Sequence, residues 1–195
     1  RFDGPLDMRM DTSCGVSAAE WLASAPVEEI TQVIKTFGEE RYAFVIARAI
    51  IKQREEGKAV QTTLELSNII AKTVRSREPG QDPATRTFQA IRIFINQELA
   101  DLEKGLEAAL DVLKIGGRLV VISFHSLEDR IVKQAFRDAE TRPGATTIAS
   151  PFQHHLSSGK LVKKVRVAEH ASAEEIERNP RASSARLRVI EKVGC

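Results

Sequence analysis

The spacing of apolar residues changes character twice along the chain. From Ser17 to Val74 they recur at the three- and four-residue intervals of amphipathic helices, with glycine and proline between the runs. Ser17 and Glu20 have capping-box spacing and open a short helix through Trp21 and Leu22, which Pro26 ends. Ile30, Val33, Ile34 and Phe37 predict a helix over 27–37 with Gly38 as its stop. Val45, Ile46, Ala49 and Ile50 are the stripe of a third helix over 42–56, closed by Gly57. Thr62 and Glu65 repeat the capping box ahead of Leu66, Ile69, Ile70 and Val74. This stretch predicts an all-helical bundle.

A turn-rich segment, REPGQDPATR at 77–86, precedes a different pattern. Asp82 and Pro83 start a long helix running to Leu113, with Ile91, Ile95, Leu99, Leu102, Leu106 and Leu110 as its buried stripe and Gly116-Gly117 after it. Residues 119–124 are apolar and β-branched without alternation, which predicts a strand covered on both faces in a mostly parallel sheet. Ser126 is positioned to cap a helix over 127–139, with Asp129 at its third position. After a polar loop at 141–160, strands are expected over 161–167 and 184–192 around a short helix at 172–178, the two strands pairing antiparallel at the edge of the preceding sheet. The fold class is therefore α/β. A doubly covered strand needs hydrogen-bonded neighbours on both sides, and the chain supplies only one, so a further amino-terminal part is expected to complete the sheet.

Composition narrows the classes. Hydrophobic residues make up 42% of the 195, charged residues 29%, and the net charge is +2, within the range of soluble globular proteins. No apolar run approaches the ~18 residues of a membrane span, and a cytoplasmic location is expected. Cys14 and Cys195 have no metal-ligand spacing around them. Basic clusters, KLVKKVR at 160–166 and RASSARLR at 181–188, offer local contact to a polyanion. No glycine-rich strand-to-helix turn of the nucleotide-cradling kind occurs.

Five blocks carry a resemblance: GPLDMRMD at 4–11, TFGEER at 36–41, PATRTFQAIRI at 83–93, GGRLVVISFHSLEDRIVK at 116–133 and NPRASSARLR at 179–188. Together they resemble the ribosomal RNA small subunit methyltransferase H family. The resemblance implies an S-adenosylmethionine-dependent enzyme that methylates the exocyclic N4 of a cytidine in the decoding region of 16S ribosomal RNA. It also implies a Rossmann-like methyltransferase domain with an inserted all-helical substrate-recognition domain. On that plan residues 1–11 lead into the insertion, 12–82 are the helical domain, and 83–195 are the carboxy-terminal part of the methyltransferase domain. The family's cofactor-binding segment lies ahead of the matched blocks, so no residue of this chain is expected to hold S-adenosylmethionine, and the chain alone is expected to be inactive. The implied partner is 16S ribosomal RNA in the small subunit, with no membrane and with room for a homodimer. Asp82 stands where a histidine is common in the family and Ser183 where a basic residue is usual.

Ligands of open α/β sheets lie beyond the carboxyl ends of the strands, where Ser123, Phe124, His125 and Ser126 fall. His125 and Ser123 are the candidate catalytic residues, His125 orienting the base or relaying a proton near neutral pH. Phe124, Ser126, Asp129 and Arg130 are candidates to wall the pocket and bind substrate, whereas Lys133 reads as a solvated helix residue. Arg86, Phe88, Gln89 and Arg92 at the start of the long helix, Asp7, Arg9 and Asp11 near the amino terminus, and Arg181, Arg186 and Arg188 in the tail complete the substrate-binding candidates. A structural alternative has Ser126 capping the helix and His125 bonding to backbone. A methyl group activated by a sulfonium needs no metal. Rival enzymes fit poorly: a Ser123-His125-Asp129 hydrolase lacks the G-x-S-x-G turn, and a metal hydrolase lacks a second ligand cluster. The competing non-enzymatic reading is an RNA-binding module.

Overall fold

The computed structural model describes residues 3–74, 82–141 and 161–194. The turn-rich segment expected at 77–86 falls partly, and the loop expected at 141–160 almost wholly, outside them. The chain forms two compact units, Arg1–Glu98 and Leu99–Cys195.

The first unit is helical: α1 Ala18–Ser24, α2 Val27–Gly38, α3 Ala43–Glu55, α4 Thr63–Thr73 and α5 Thr85–Asn96. Both expected capping boxes are present, Ser17 with Glu20 and Thr62 with Glu65. Leu22, Ile30, Ile34, Ile46, Ile50, Leu66, Ile70 and Ile91 are fully buried and form its core. On α3 the inward positions are Ala43, Ile46, Ala47 and Ile50, so Val45, expected inside, is about half exposed. Gly38 does not stop α2 by turning left-handed; Glu39 takes that conformation, at φ 48°. Gly38 instead lets α5 approach, since a Cβ there would lie 2.7 Å from the Arg86 carbonyl oxygen.

The single long helix expected from residue 83 is two helices. Gln97 is left-handed at φ 52° and ends α5, and α6 Glu98–Val112 begins at the next residue. The periodic stripe continues across this break, which is why apolar spacing alone does not reveal it. The compact units also divide here, and residues of α5 such as Ala90 and Ile91 pack in the core of the first unit.

The second unit holds β1 Arg118–Ser123, α7 Ser126–Thr141, β2 Val162–Lys164, α8 Ala173–Arg178, a 3-10 turn at Pro180–Ser184 and β3 Arg186–Lys192. The sheet order is β1-β3-β2, both pairs antiparallel, so the two tail strands do extend the sheet antiparallel. Leu106, Val132, Phe136, Ala139, Val162 and Ile190 form the core. Only one face of β1 is covered among the described residues. Leu119, Val121 and Ser123 turn inward, while Val120 and Ile122 are more than half exposed. The expectation of a strand buried on both faces thus overstates burial within this chain.

Candidate functional site

The β1–α7 junction is built as a helix cap made by a histidine. His125 Nδ1 accepts the Glu128 N–H at 3.3 Å, and Glu128 Oε2 accepts the His125 and Phe124 N–H groups at 3.2 and 2.8 Å. This is the reciprocal pattern of a capping box with imidazole in place of a hydroxyl. Ser126, expected as the cap, is the first residue of α7 instead. Because Nδ1 is an acceptor, the neutral ring carries its proton on Nε2. That atom is buried without a hydrogen-bond partner and lies 3.4 Å from Glu128 Oε1, close enough for attraction but not aligned as a hydrogen bond.

Behind this cap sits a bidentate ion pair. Arg188 on β3 donates from Nε to Asp129 Oδ1 at 2.6 Å and from Nη2 to Oδ2 at 2.9 Å. Glu169 Oε1 approaches the same guanidinium at 3.5 Å and also binds Lys164 Nζ at 3.2 Å. The buried Ser123 hydroxyl reaches Asp129 Oδ1 at 3.5 Å. The Arg188 hydrogen bonds, foremost, hold the Asp129 carboxyl below its ordinary range, and the pairing raises Arg188 above its own.

In front of the cap opens a pocket of about 510 Å³ lined by Phe124, His125, Ser126, Asp129, Arg130, Lys133, Ser184 and Arg186. Six of the expected site residues therefore converge: Phe124, His125, Ser126, Asp129, Arg130 and Arg186. Ser123 lies just beneath, buried, and Arg188 is committed to Asp129 with only 11% of its side chain exposed. Arg181 is exposed on the 3-10 turn and does not line this pocket.

The remaining candidates lie in the helical unit. Asp7 and Arg9 pair with each other, Nε to Oδ1 at 2.7 Å, and Asp11 receives the Ser13 N–H and hydroxyl. Arg92 is paired to Glu98 at 2.7 Å, and Arg86 and Gln89 are half-buried on α5. Phe88 lines a separate cavity of about 330 Å³ with Asp3, Thr63, Ser67 and Asp82.

The pocket is also lined by Lys133, which reads from the sequence as a solvated helix residue, and by Ser184, which is not among the sequence candidates. Lys133 stands four residues after Asp129 and three after Arg130, so helical spacing already places all three on one face of α7. Ser184 and the His170 ring, which contacts Arg186 Nη1, arrive only through tertiary folding.

A model of the MraW methylase family matches residues 1–193. Curated relatives named ribosomal RNA small subunit methyltransferase H are similar to the chain throughout. That of Polynucleobacter asymbioticus is 56% identical over 195 residues, covering 98% of this chain and 60% of the relative. That of Cupriavidus metallidurans is 54% identical over 200 residues, covering all of this chain and 61% of the relative. That of Thiobacillus denitrificans is 53% identical over 196 residues. The chain spans about 60% of the length of these relatives. With a family match across both units and identity above half, the chain belongs to the MraW methylase family.

Proposed function

We propose that this chain is part of an S-adenosylmethionine-dependent enzyme that methylates the exocyclic N4 of a cytidine in the decoding region of 16S ribosomal RNA. The observation that carries the reading is the pocket beyond β1, where an exposed aromatic, a paired carboxylate and several cations meet, in a chain so similar to ribosomal RNA methyltransferases. The Rossmann-like plan is proposed with it: the one-sided pairing of β1 and its exposed Val120 and Ile122 suit a strand inside a wider sheet. The helical unit would serve RNA recognition.

The cytosine amine is a weak nucleophile because its lone pair is delocalised into the ring. A carboxylate that accepts one of its hydrogens favours the pyramidal, reactive form. Asp129 suits this role: it lines the pocket, stays ionised through Arg188, and retains acceptor capacity on Oδ2, which receives only one bond from Arg188. Phe124, 56% exposed, offers a face for a base withdrawn from its stack. Ser123 and His125, the expected catalytic pair, hold Asp129 and the pocket lip in place in this reading.

The cofactor supplies an electrophilic methyl group when bound, but the described residues do not fit it. The β1–α7 turn contains no glycine, and its first N–H groups are taken by Glu128 and His125. No step is therefore derived through the cofactor, and calorimetry on this chain is expected to show no tight S-adenosylmethionine binding. The deciding assay gives methyl-labelled S-adenosylmethionine and small ribosomal subunits to the longest polypeptide encoded by the gene containing this chain. N4-methylcytidine in the digested 16S RNA is the expected product; label on another atom, or none, would overturn the reading.

A further inference from the structure

Resting on the RNA reading above, we infer that Lys133 and Arg186 form a seat for a backbone phosphodiester of single-stranded RNA, beside Phe124 as the platform for an adjoining base. The charge balance of the pocket carries this. Lys133 is exposed on α7 and has no acidic partner among the described residues. The Arg186 guanidinium meets the His170 ring and the Ala185 carbonyl, neither of them a carboxylate. The pocket's own carboxylate, Asp129, is neutralised by Arg188, which reaches it from β3 and does not line the cavity. Lys133 and Arg186 thus line the same space without a carboxylate hydrogen-bonded to either, together with Ser184 at the end of the 3-10 turn.

Two other cavities among the described residues have the opposite balance. The one of about 550 Å³ between α6 and α7 is lined by Glu103, Glu107, Asp111 and Asp138 against the single cation Arg130, an excess of negative charge that would repel a phosphate. The one beside Phe88 has Asp3 and Asp82 as its charged residues. A cationic groove next to an exposed aromatic is the combination that holds a single strand, charge on the backbone and stacking on the base.

The test measures binding of a fluorescent single-stranded RNA by anisotropy across a salt series, in the same gene-encoded polypeptide. Lys133→Ala and Arg186→Ala should each weaken binding to all RNA sequences alike and lower the slope of log affinity against log salt by about 0.7. Phe124→Ala should weaken binding with the slope unchanged, and Lys104→Ala on α6, outside the helical unit and the pocket, should change neither. Circular dichroism confirms that each variant is folded. Unchanged slopes in both cation variants, or no RNA binding by the parent, would overturn the seat. Methyl transfer to N4 with unchanged slopes would sink the seat alone; lowered slopes without methyl transfer would sink the enzymatic reading and leave the seat.

Discussion

Arg188 and Asp129, 59 residues apart in sequence, face each other in the second unit as a two-pronged ion pair with bonds of 2.6 and 2.9 Å. The pair ties the central strand of the sheet to the first turn of α7, and both side chains are mostly covered, at 11% and 21% exposure. Removing the carboxylate strands a guanidinium where water reaches it poorly. Asp129→Ala is expected to cost about 2 kcal/mol, read as a lower midpoint in urea unfolding. Replacing both partners, Asp129→Leu with Arg188→Met, should recover part of that loss, because neither charge is then left alone.

The imidazole cap makes a separate forecast. His125→Ala removes the acceptor for the Glu128 N–H and should destabilise α7 by about 1 kcal/mol. His125→Asn, which brings back a side-chain acceptor at the same place, should restore most of it. Equal instability of the two variants in urea would contradict the capping role.

Close approach of α2 and α5 is expected to make Gly38→Ala harmful. Alanine favours a helix interior over glycine by about 1 kcal/mol, yet its Cβ would sit 2.7 Å from the Arg86 carbonyl oxygen and 3.2 Å from the Ala90 Cβ. Backbone cannot rotate away as a side chain does, so a net loss of about 1–3 kcal/mol is expected, visible as a lower thermal midpoint.

Acid should weaken the sheet unit through its paired carboxylates. Asp129 is held low chiefly by Arg188, Glu169 by Lys164, and Glu191 by Lys163 and then Arg118. Each titrates in the folded chain below its ordinary value of 3.8 or 4.5. Their contribution is therefore complete above those values and disappears as the pH falls through the lower, folded ones. Urea midpoints should hold steady near neutrality and drop below about pH 4.5. Added salt should blunt the pairs of Glu169 and Glu191 with exposed lysines more than the covered Asp129–Arg188 pair.

Local signals were legible wherever one short stretch decides the outcome. The boxes at Ser17 and Thr62 were readable because donor, acceptor and spacing all lie within four residues. The antiparallel pairing of the tail strands followed from their patterns, and the strand end brings Phe124, His125 and Asp129 to one pocket. Features set by distant partners were hidden. Gln97 interrupts a stripe whose period gives no sign of the break. Gly38 looks like a helix stop until α5 lies against it. Arg188 is a substrate-binding candidate in the sequence, and its pairing with Asp129 becomes visible only in the fold. Lys133 was open to discovery by helical spacing, but no local rule tells a pocket-facing lysine from a solvated one.

The central place of β3 has a consequence for biosynthesis. The β3 neighbour of β1 comes later in the chain; Arg118 meets Glu191 across 73 residues. At about 5–20 residues per second that interval is roughly 4–15 s. Throughout it the apolar segment with Val120 and Ile122 leaves the ribosome before its β3 neighbour exists. A nascent chain so arranged is a natural client for tunnel-exit holdases, and slowing translation between the two strands should lengthen its dependence on them.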